Sequence, residues 1–371
     1  MKRPYMVFFL VIALLLSGCR RVPYSDEQVD RPTADLRGVW VSFLDIDPLL
    51  KDADVPTVET RLAEMLDTCR DKGMNTVFFH VRAHSDAYYP SRVFPPAAAA
   101  TELLATGFDP FAYVVDAAHA RDIAVHAWIN PYRIGESKAN ATVTDENATF
   151  KQNGVWYYNP ASVVARKRAL DGVREILDNY AVDGIHFDDY FYPSGMPTNA
   201  APFEDVPDTL AVDDWRRLQI DTLISAVYGL THARGRVFGV SPTALIHQNR
   251  ENAYADVALW MTKPGYIDYI CPQIYFGFEH STLPYAETLA QWEALPRRQG
   301  VALLVGLALY KADAQDLYAA DGKDEWCTHD DVITRQVQTL RASGAASGFV
   351  LFRYAHLHTA TKEMYHLQDC L

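Results

Sequence analysis

The chain has 371 residues, with 34 Lys and Arg against 47 Asp and Glu, a formal net charge of −13, and a composition that is 49% hydrophobic, 12% aromatic and 22% charged. Such an apolar fraction suits a globular chain with a sizeable core rather than a disordered or fibrous one. The acidic balance, without clustered Lys or Arg, argues against a nucleic-acid partner, because phosphate binding needs such clusters; a small or sugar-like substrate fits better.

At the amino end Lys2 and Arg3 precede an apolar run from Tyr5 to Leu16, too short to span a bilayer comfortably, and Leu16-Ser17-Gly18-Cys19 follows. Residues 1–18 read as an export signal whose end resembles a bacterial lipoprotein cleavage box. On that resemblance Cys19 becomes the lipidated, palmitate-carrying first residue of the mature protein, and residues 19–36 form a polar tether. The expected location is the cell envelope, lipid-anchored at the outer membrane or periplasmic face, because acylation attaches a protein to a membrane without making it span.

Eight strand-like runs then recur: Arg37 to Phe43, Asn75 to Arg82, Ile123 to Asn130, Gly184 to Tyr192, Arg236 to Pro242, Tyr266 to Phe276, Val301 to Tyr310 and Gly348 to Tyr354. Between them lie segments with apolar residues at helical spacing, such as Val58, Leu62, Met65, Leu66 and Cys69, then Val163, Val164, Leu170, Val173, Ile176 and Leu177. Lys72-Gly73 and Ser343-Gly344 supply helix stops before the second and eighth runs. Strands this rich in Val, Ile, Phe and Tyr suit a parallel sheet covered on both faces. The expected fold is a single α/β domain over residues 37–371, a (β/α)8 TIM barrel; a doubly wound open sheet is the alternative, but no Gly-rich phosphate turn follows the first run. The segments Pro131 to Pro160 and Pro193 to about Asp214, after the third and fourth strands, are too long for simple connectors and are expected to wall a cleft. Cys69, Cys271, Cys327 and Cys370 have no metal-knuckle spacing; an oxidising compartment permits a Cys327 to Cys370 bridge, though sequence cannot pair them.

In a barrel the chemistry lies at the C-terminal strand ends. Those ends carry Asp45 and Asp47; His80, Arg82, His84 and Asp86; Trp128, Asn130, Tyr132 and Arg133; His186, Asp188 and Asp189; Ser241 and Thr243; Gln273, Tyr275 and Glu279; Tyr310 and Lys311; and Arg353 and Tyr354. The segment Asp183 to Pro193 stands out, because two adjacent carboxylates and a cluster of aromatic rings leave a buried strand together. A carboxylate can attack or stabilise an anomeric carbon, and aromatic faces stack on sugar rings. A solvated acidic turn is the plainer reading of the same residues. Strand alternation puts His186 and Asp188 on one face and Asp189 on the other. Histidines near carboxylates invite a zinc reading, but no short spacing supplies three ligands at once, and no motif calls for a metal or another cofactor. The oligomeric state stays open.

Asp-Gly-Ile-His-Phe-Asp is similar to the fourth strand of the α-amylase clan, where a basic residue precedes the nucleophilic aspartate by two positions. A broader match runs through Arg37-Gly38-Val39-Trp40, His80-Val81-Arg82 with Asp86-Ala87-Tyr88-Tyr89, His126 to Arg133, Asp183 to Pro193, and Pro272 to Glu279. Together these resemble the bacterial glycosyl hydrolase-like family ten lipoproteins. The resemblance implies a TIM barrel in the envelope that hydrolyses glycan, with peptidoglycan strands stripped of their stem peptides as the substrate of the divisome-localised members. It places Asp188 as nucleophile or base and Glu279 as general acid, with Phe276 standing where a tryptophan is expected. On this reading His186 and Arg82 favour the charge on Asp188, Tyr275 and Phe276 desolvate Glu279, and Asp86 and Asp189 are the reserve acid and base. His80, Arg82, Asp86, Trp128, Asn130, Tyr132, Arg133, His186, Gln273, Tyr275 and Arg353 are the expected substrate contacts. A lipoprotein that holds glycan without cutting it, or a hydrolase of another polysaccharide, is the competing expectation.

Overall fold

The computed structural model describes residues 35–371, so the expected export signal, Cys19 and most of the tether lie outside the described residues. Eight strands close into a parallel barrel in the order β1, β11, β10, β9, β8, β7, β3, β2. They are β1 (Leu36–Val41), β2 (Thr76–Arg82), β3 (Ala124–Ile129), β7 (Gly184–Phe187), β8 (Val237–Val240), β9 (Tyr269–Ile270), β10 (Ala302–Leu307) and β11 (Gly348–Phe352). The expected TIM barrel is the fold. All eight strands are shorter than their sequence runs, β7 and β9 most of all: β7 stops at Phe187, and β9 keeps two residues, with Gln273 adding single bridges to Thr243 and Gly306 beyond it.

The connection after β3 is not a plain loop. It folds into an antiparallel sheet of β4 (Arg133–Gly135), β5 (Thr149–Gln152) and β6 (Val155–Tyr158), in the order β4, β6, β5. Between β5 and β6 sit Asn153 and Gly154 with φ of 50° and 84°, the two left-handed residues that a tight right-twisted hairpin requires. The connection after β7 is a long excursion, fixed by the fully buried pair Arg216–Glu204 at 2.7 Å.

The helices take up their expected faces with one exception. Val55–Asp71 starts on an Asp54 cap that accepts from Thr57 N at 3.1 Å and buries Val58, Leu62, Met65, Leu66 and Cys69 against the barrel. Val163–Asn179 buries Ala165, Ala169, Gly172, Val173 and Ile176, whereas Val163 and Val164 face solvent, being the first turn of a helix that meets the sheet only one turn later. The cysteines Cys69, Cys271, Cys327 and Cys370 are all free thiols.

Two apolar layers result, one between barrel and helices and a smaller one inside the barrel built on Trp40, Phe78, Trp128, Tyr269 and Leu304. The inner layer depends on glycine where two backbones leave no room: a Cβ at Gly239 would stand 2.2 Å from the Tyr269 ring, and one at Gly306 2.8 Å from Trp40. Beneath the mouth, Tyr269 Oη meets His126 Nδ1 at 2.9 Å and His186 Nδ1 at 3.0 Å, while Trp40 Nε1 donates to His186 Nε2 at 3.2 Å. Because the indole only donates, His186 Nε2 must accept, which puts its proton on Nδ1; the phenol then accepts from His186 and donates to His126. Burial lowers the basicity of both rings, His126 to about 4, so this column is neutral and rigid.

Candidate active site at the barrel mouth

The C-terminal strand ends enclose a cavity of about 380 Å³. Its floor and one side are Trp40, His80, Trp128, Asn130, Asp188, Asp189 and Ser241, and the rest of its wall is Ser42, Phe43, Leu44, Arg133, Tyr190, Gln273, Tyr275 and Phe352. A second cavity of about 330 Å³ opens beyond Asp189 and Tyr190, which line both, and is bordered by Asn153, Tyr157, Gln248 and Asn252. The acid pair therefore stands where two cavities meet.

Asp188 is buried, one residue past the end of β7 and on the face that His186 occupies a layer below. Trp128 Nε1 donates to its Oδ2 at 3.1 Å, and its Oδ1 receives only a long contact of 3.3 Å from Tyr190 N. Desolvation, and then the charge of Asp189, hold its carboxyl well above the usual carboxylate range, against the opposing pull of Trp128 and Arg133. Asp189 is less deeply set and is pushed up to about 6 by desolvation, with Gln273 pulling the other way. Both carboxyls are therefore raised, Asp188 the more strongly, because the charge of Asp189 adds to the cost of burying it. These directions do not favour the ionised role expected of Asp188, while Asp189, expected as the reserve base, is the less strongly raised of the two. Asp189 also leaves its expected place on the opposite face, because the strand ends at Phe187 and alternation no longer governs where it points.

His80 lies flat on the Trp128 indole, ring centroids 3.7 Å apart and planes 8° apart, and burial depresses its pKa well below 6.5. Asn130 is anchored by its Nδ2 on Ala83 O at 3.1 Å, Gln273 by its Nε2 on Ser241 O at 2.9 Å, and Tyr275 by Lys311 Nζ, which donates to its carbonyl at 2.6 Å. Arg133 leaves the β4 end of the three-stranded sheet, with its guanidinium 4.9 Å above the Tyr190 ring. It is the cation that lines the main cavity.

Five expected contacts, and the expected general acid Glu279, do not line that cavity. Glu279 lies nine positions beyond β9, its side chain 54% exposed and paired with His329 at 3.4 Å, so neither Tyr275 nor Phe276 strips it of water. Arg82 faces outward, because the register with β3 shifts between His80 and Arg82 and that bulge reverses the alternation. Its guanidinium packs 4.2 Å over Phe94 in the outer core, where burial lowers its pKa to about 10. Tyr132 is wholly buried in that same outer layer. Asp86 serves its own loop, accepting from His84 N at 3.1 Å, and Arg353 is paired with Asp45. His186 belongs to the neutral column below and supplies no charge to Asp188; the Trp128 indole and Arg133 stand in the places expected of His186 and Arg82. Conversely Phe43, Leu44, Tyr190 and Phe352 line the mouth without having been singled out. Leu44 is 52% exposed just beyond the exit of β1, an exposure that only the closed barrel discloses. Among the described residues no three His, Cys, Asp or Glu side chains gather as a metal-holding group.

The family described as glycosyl hydrolase-like 10 matches residues 35–321. Glycosyl hydrolase YngK of Bacillus subtilis (strain 168) is 30% identical over 82% of this chain and 66% of its own length, so the chain spans just under two thirds of that relative. Glycosyl hydrolase DigH of Escherichia coli (strain K12) is 29% identical over 96% of this chain and 93% of its own. Among solved structures, the PgaB (BpsB) glycoside hydrolase domain from Bordetella bronchiseptica superposes with a TM-score of 0.59 at 16% identity, covering 90% of this chain and 98% of that one. Alpha-L-fucosidase isoenzyme 2 from Paenibacillus thiaminolyticus gives 0.57 at 15% identity, over 90% and 49%. At such identities these two speak for the barrel alone.

Proposed function

The chain belongs to the glycosyl hydrolase-like 10 family, and from that premise we propose that it is an envelope glycosidase cutting peptidoglycan strands that have lost their stem peptides. The observation that carries this reading is the adjacent carboxyl pair Asp188–Asp189 at the junction of two cavities, in a mouth walled by Trp128, Tyr190, Tyr275 and Phe352. Glycosidic cleavage needs one acid that keeps its proton near neutral pH and one that does not, and burial separates these two carboxyls in that way. Asp188 protonates the leaving oxygen, and Asp189 works as the ionised partner. Aromatic faces hold the sugar rings, and a chain lying across both cavities is cut internally.

Arg133 supports the anionic substrate. The chain as a whole is acidic and repels a polyanion, so one guanidinium inside the cleft marks where a carboxylate is welcome. Removal of the peptide leaves the lactyl carboxylate of muramic acid free for such a contact. Lipidation at Cys19 holds the enzyme near this polymer in the proposed setting.

The test is mass spectrometry of products from denuded peptidoglycan and from chitin oligomers, which lack the carboxylate, with wild type, Asp188→Asn and Arg133→Ala. Soluble fragments from the denuded glycan, lost in Asp188→Asn and selectively reduced in Arg133→Ala, support the proposal. Binding without cleavage identifies a glycan-holding protein instead. Cys19→Ser tests the anchor separately: the variant is expected in the soluble fraction with its activity retained.

A further inference from the structure

Both carboxyls of the cleft leave the same wall. Asp188 and Asp189 are consecutive residues, so their Cα atoms are about 3.8 Å apart, and both emerge at the exit of β7. In the barrel order β11 stands four strands from β7 in either direction, so Phe352 and its neighbours Phe43 and Leu44 form the facing wall. That wall presents no carboxyl to the cavity. Asp45 behind it is occupied, accepting from Ser42 N at 2.9 Å and Ser42 Oγ at 2.8 Å and pairing with Arg353, and Glu279 lies outside. The two usual carboxylate mechanisms both need an acid on each side of the sugar ring, about 5–5.5 Å apart for retention or about 6.5–9.5 Å for inversion. Asp188 and Asp189 leave one strand exit, and the facing wall supplies no acid for the other side of a sugar ring held between them.

We propose that the missing nucleophile comes from the substrate, and that the main cavity is a site for a 2-acetamido sugar whose own carbonyl oxygen attacks its anomeric carbon. This rests on the glycosidase reading above and names its substrate class. In the first step the acetamide oxygen forms a bond to C1 as the bond from C1 to the glycosidic oxygen breaks, and Asp188 gives its proton to that departing oxygen. Asp189 accepts the acetamide N–H, taking the proton as the oxazoline ring forms. Water then adds to C1 and opens the ring, giving one proton to Asp188 and keeping the other on the new hydroxyl, while Asp189 returns to nitrogen the proton it took from it. The sum is one glycoside plus one water giving two sugars, with the configuration at C1 retained. Tyr275 fits a positioning part: it lines the cavity, its hydroxyl makes no hydrogen bond among the described residues, and desolvation together with nearby acidic groups keeps it protonated, a donor for the acetamide oxygen.

Three readouts on the full mature protein decide the matter. N-acetylglucosamine thiazoline, which mimics the ring intermediate, is expected to bind at least about a hundredfold more tightly than N-acetylglucosamine by calorimetry, as intermediate mimics do. Denuded glycan whose acetamides are replaced by trifluoroacetamides, weaker nucleophiles of similar shape, is expected to be cut at least about a hundredfold more slowly. Proton NMR of the first product is expected to show the retained anomer. Inversion, or equal rates on the two glycans, overturns the substrate-supplied nucleophile and leaves the glycosidase reading standing. Thiazoline binding no tighter than that of the sugar overturns it whether or not any glycan is cut. Absence of all cleavage by wild type overturns the glycosidase reading, and this inference with it.

Discussion

The exits of β7 and β9 look alike on paper: each follows an apolar strand, each carries an acidic residue, and each is crowded with aromatic rings. Their acids end in opposite places. Asp188 follows the last strand residue directly, so the barrel ladder dictates its direction, and the Trp128 indole meets it inside the mouth at 3.1 Å. Glu279 follows β9 by nine residues, and its backbone is held by another acid. Glu325, 1% exposed, accepts from Phe278 N at 3.0 Å and Glu279 N at 2.9 Å, and the close approach of Gly277 to its carboxyl leaves no space for a Cβ. An acid that follows the ladder's end within two residues, as Asp188 and Asp189 do, stays at the mouth, and Glu279, nine residues on, does not.

The sharpest way to break this comparison is at Asp188. Asp188→Asn keeps the shape of the side chain and its bond from Trp128 but removes the proton donor, so turnover on denuded glycan is expected to fall by about 10²–10⁴-fold with the fold intact. Circular dichroism alongside the rate measurement checks both halves. A variant keeping more than about a tenth of wild-type turnover moves the acid elsewhere.

On the other exit the large effect belongs to Glu325, and it is one of stability. Glu325→Ala leaves two backbone donors without their acceptor and takes one of two carboxylates from Arg335, which keeps Asp331, a loss of roughly 2–3 kcal/mol by the usual cost of stranding buried donors that bond a charged group. Denaturant melts measure it. Hydrogen exchange should place the loosening at residues 277–279, whose amides the carboxyl holds.

Asp189 sharpens the comparison through pH. Its folded pKa of about 6 lies above the ordinary 3.8, so the folded state holds this proton more tightly than the unfolded chain does. The stabilisation is full below about pH 4 and is lost as pH rises through 6. Asp189→Asn removes a charge that the fold disfavours and is expected to raise stability above pH 6 by on the order of 1–2 kcal/mol while changing little near pH 4. Activity in the wild type should fall on the acid side as Asp189 takes up a proton near 6, and on the alkaline side as Asp188 loses its own. A stability gain in the mutant at pH 4 as large as at pH 8 would place the effect outside titration.

The pattern of what the sequence discloses follows the same rule. The eight strands, the face shared by His186 and Asp188, and the presence of Trp128, Asn130, Arg133, Gln273 and Tyr275 at the mouth are legible because period-two alternation and strand ends are local properties. Arg82 is lost to a bulge that no residue type announces, and Asp189 and Glu279 depend on where a ladder stops. Phe352 and Leu44 look like core in a linear reading, since what makes them a wall is closure of the barrel between β1 and β11. The Asn153-Gly154 pair is different. It sits between two β-rich tetrapeptides and is a legible hairpin signal, which segment length alone passes over.

The smallest expected effect is the most discriminating. Glu279→Gln removes a charge that is more than half exposed and whose partner is the surface residue His329. Exposed pairs of this kind are worth about 0–1 kcal/mol, so the melting curve should barely move, and cleavage of denuded glycan should stay within about twofold of wild type, far from the range expected for a lost general acid. The amide keeps the length and the backbone bonds to Glu325, which isolates the carboxyl itself. A hundredfold loss in this variant, with Asp188→Asn still active, would mean that the loop after β9 swings into the cleft when substrate binds and that Glu279 becomes the acid there. The two exits would then be alike in use as well as in sequence, and the facing wall would gain the carboxyl it lacks at rest.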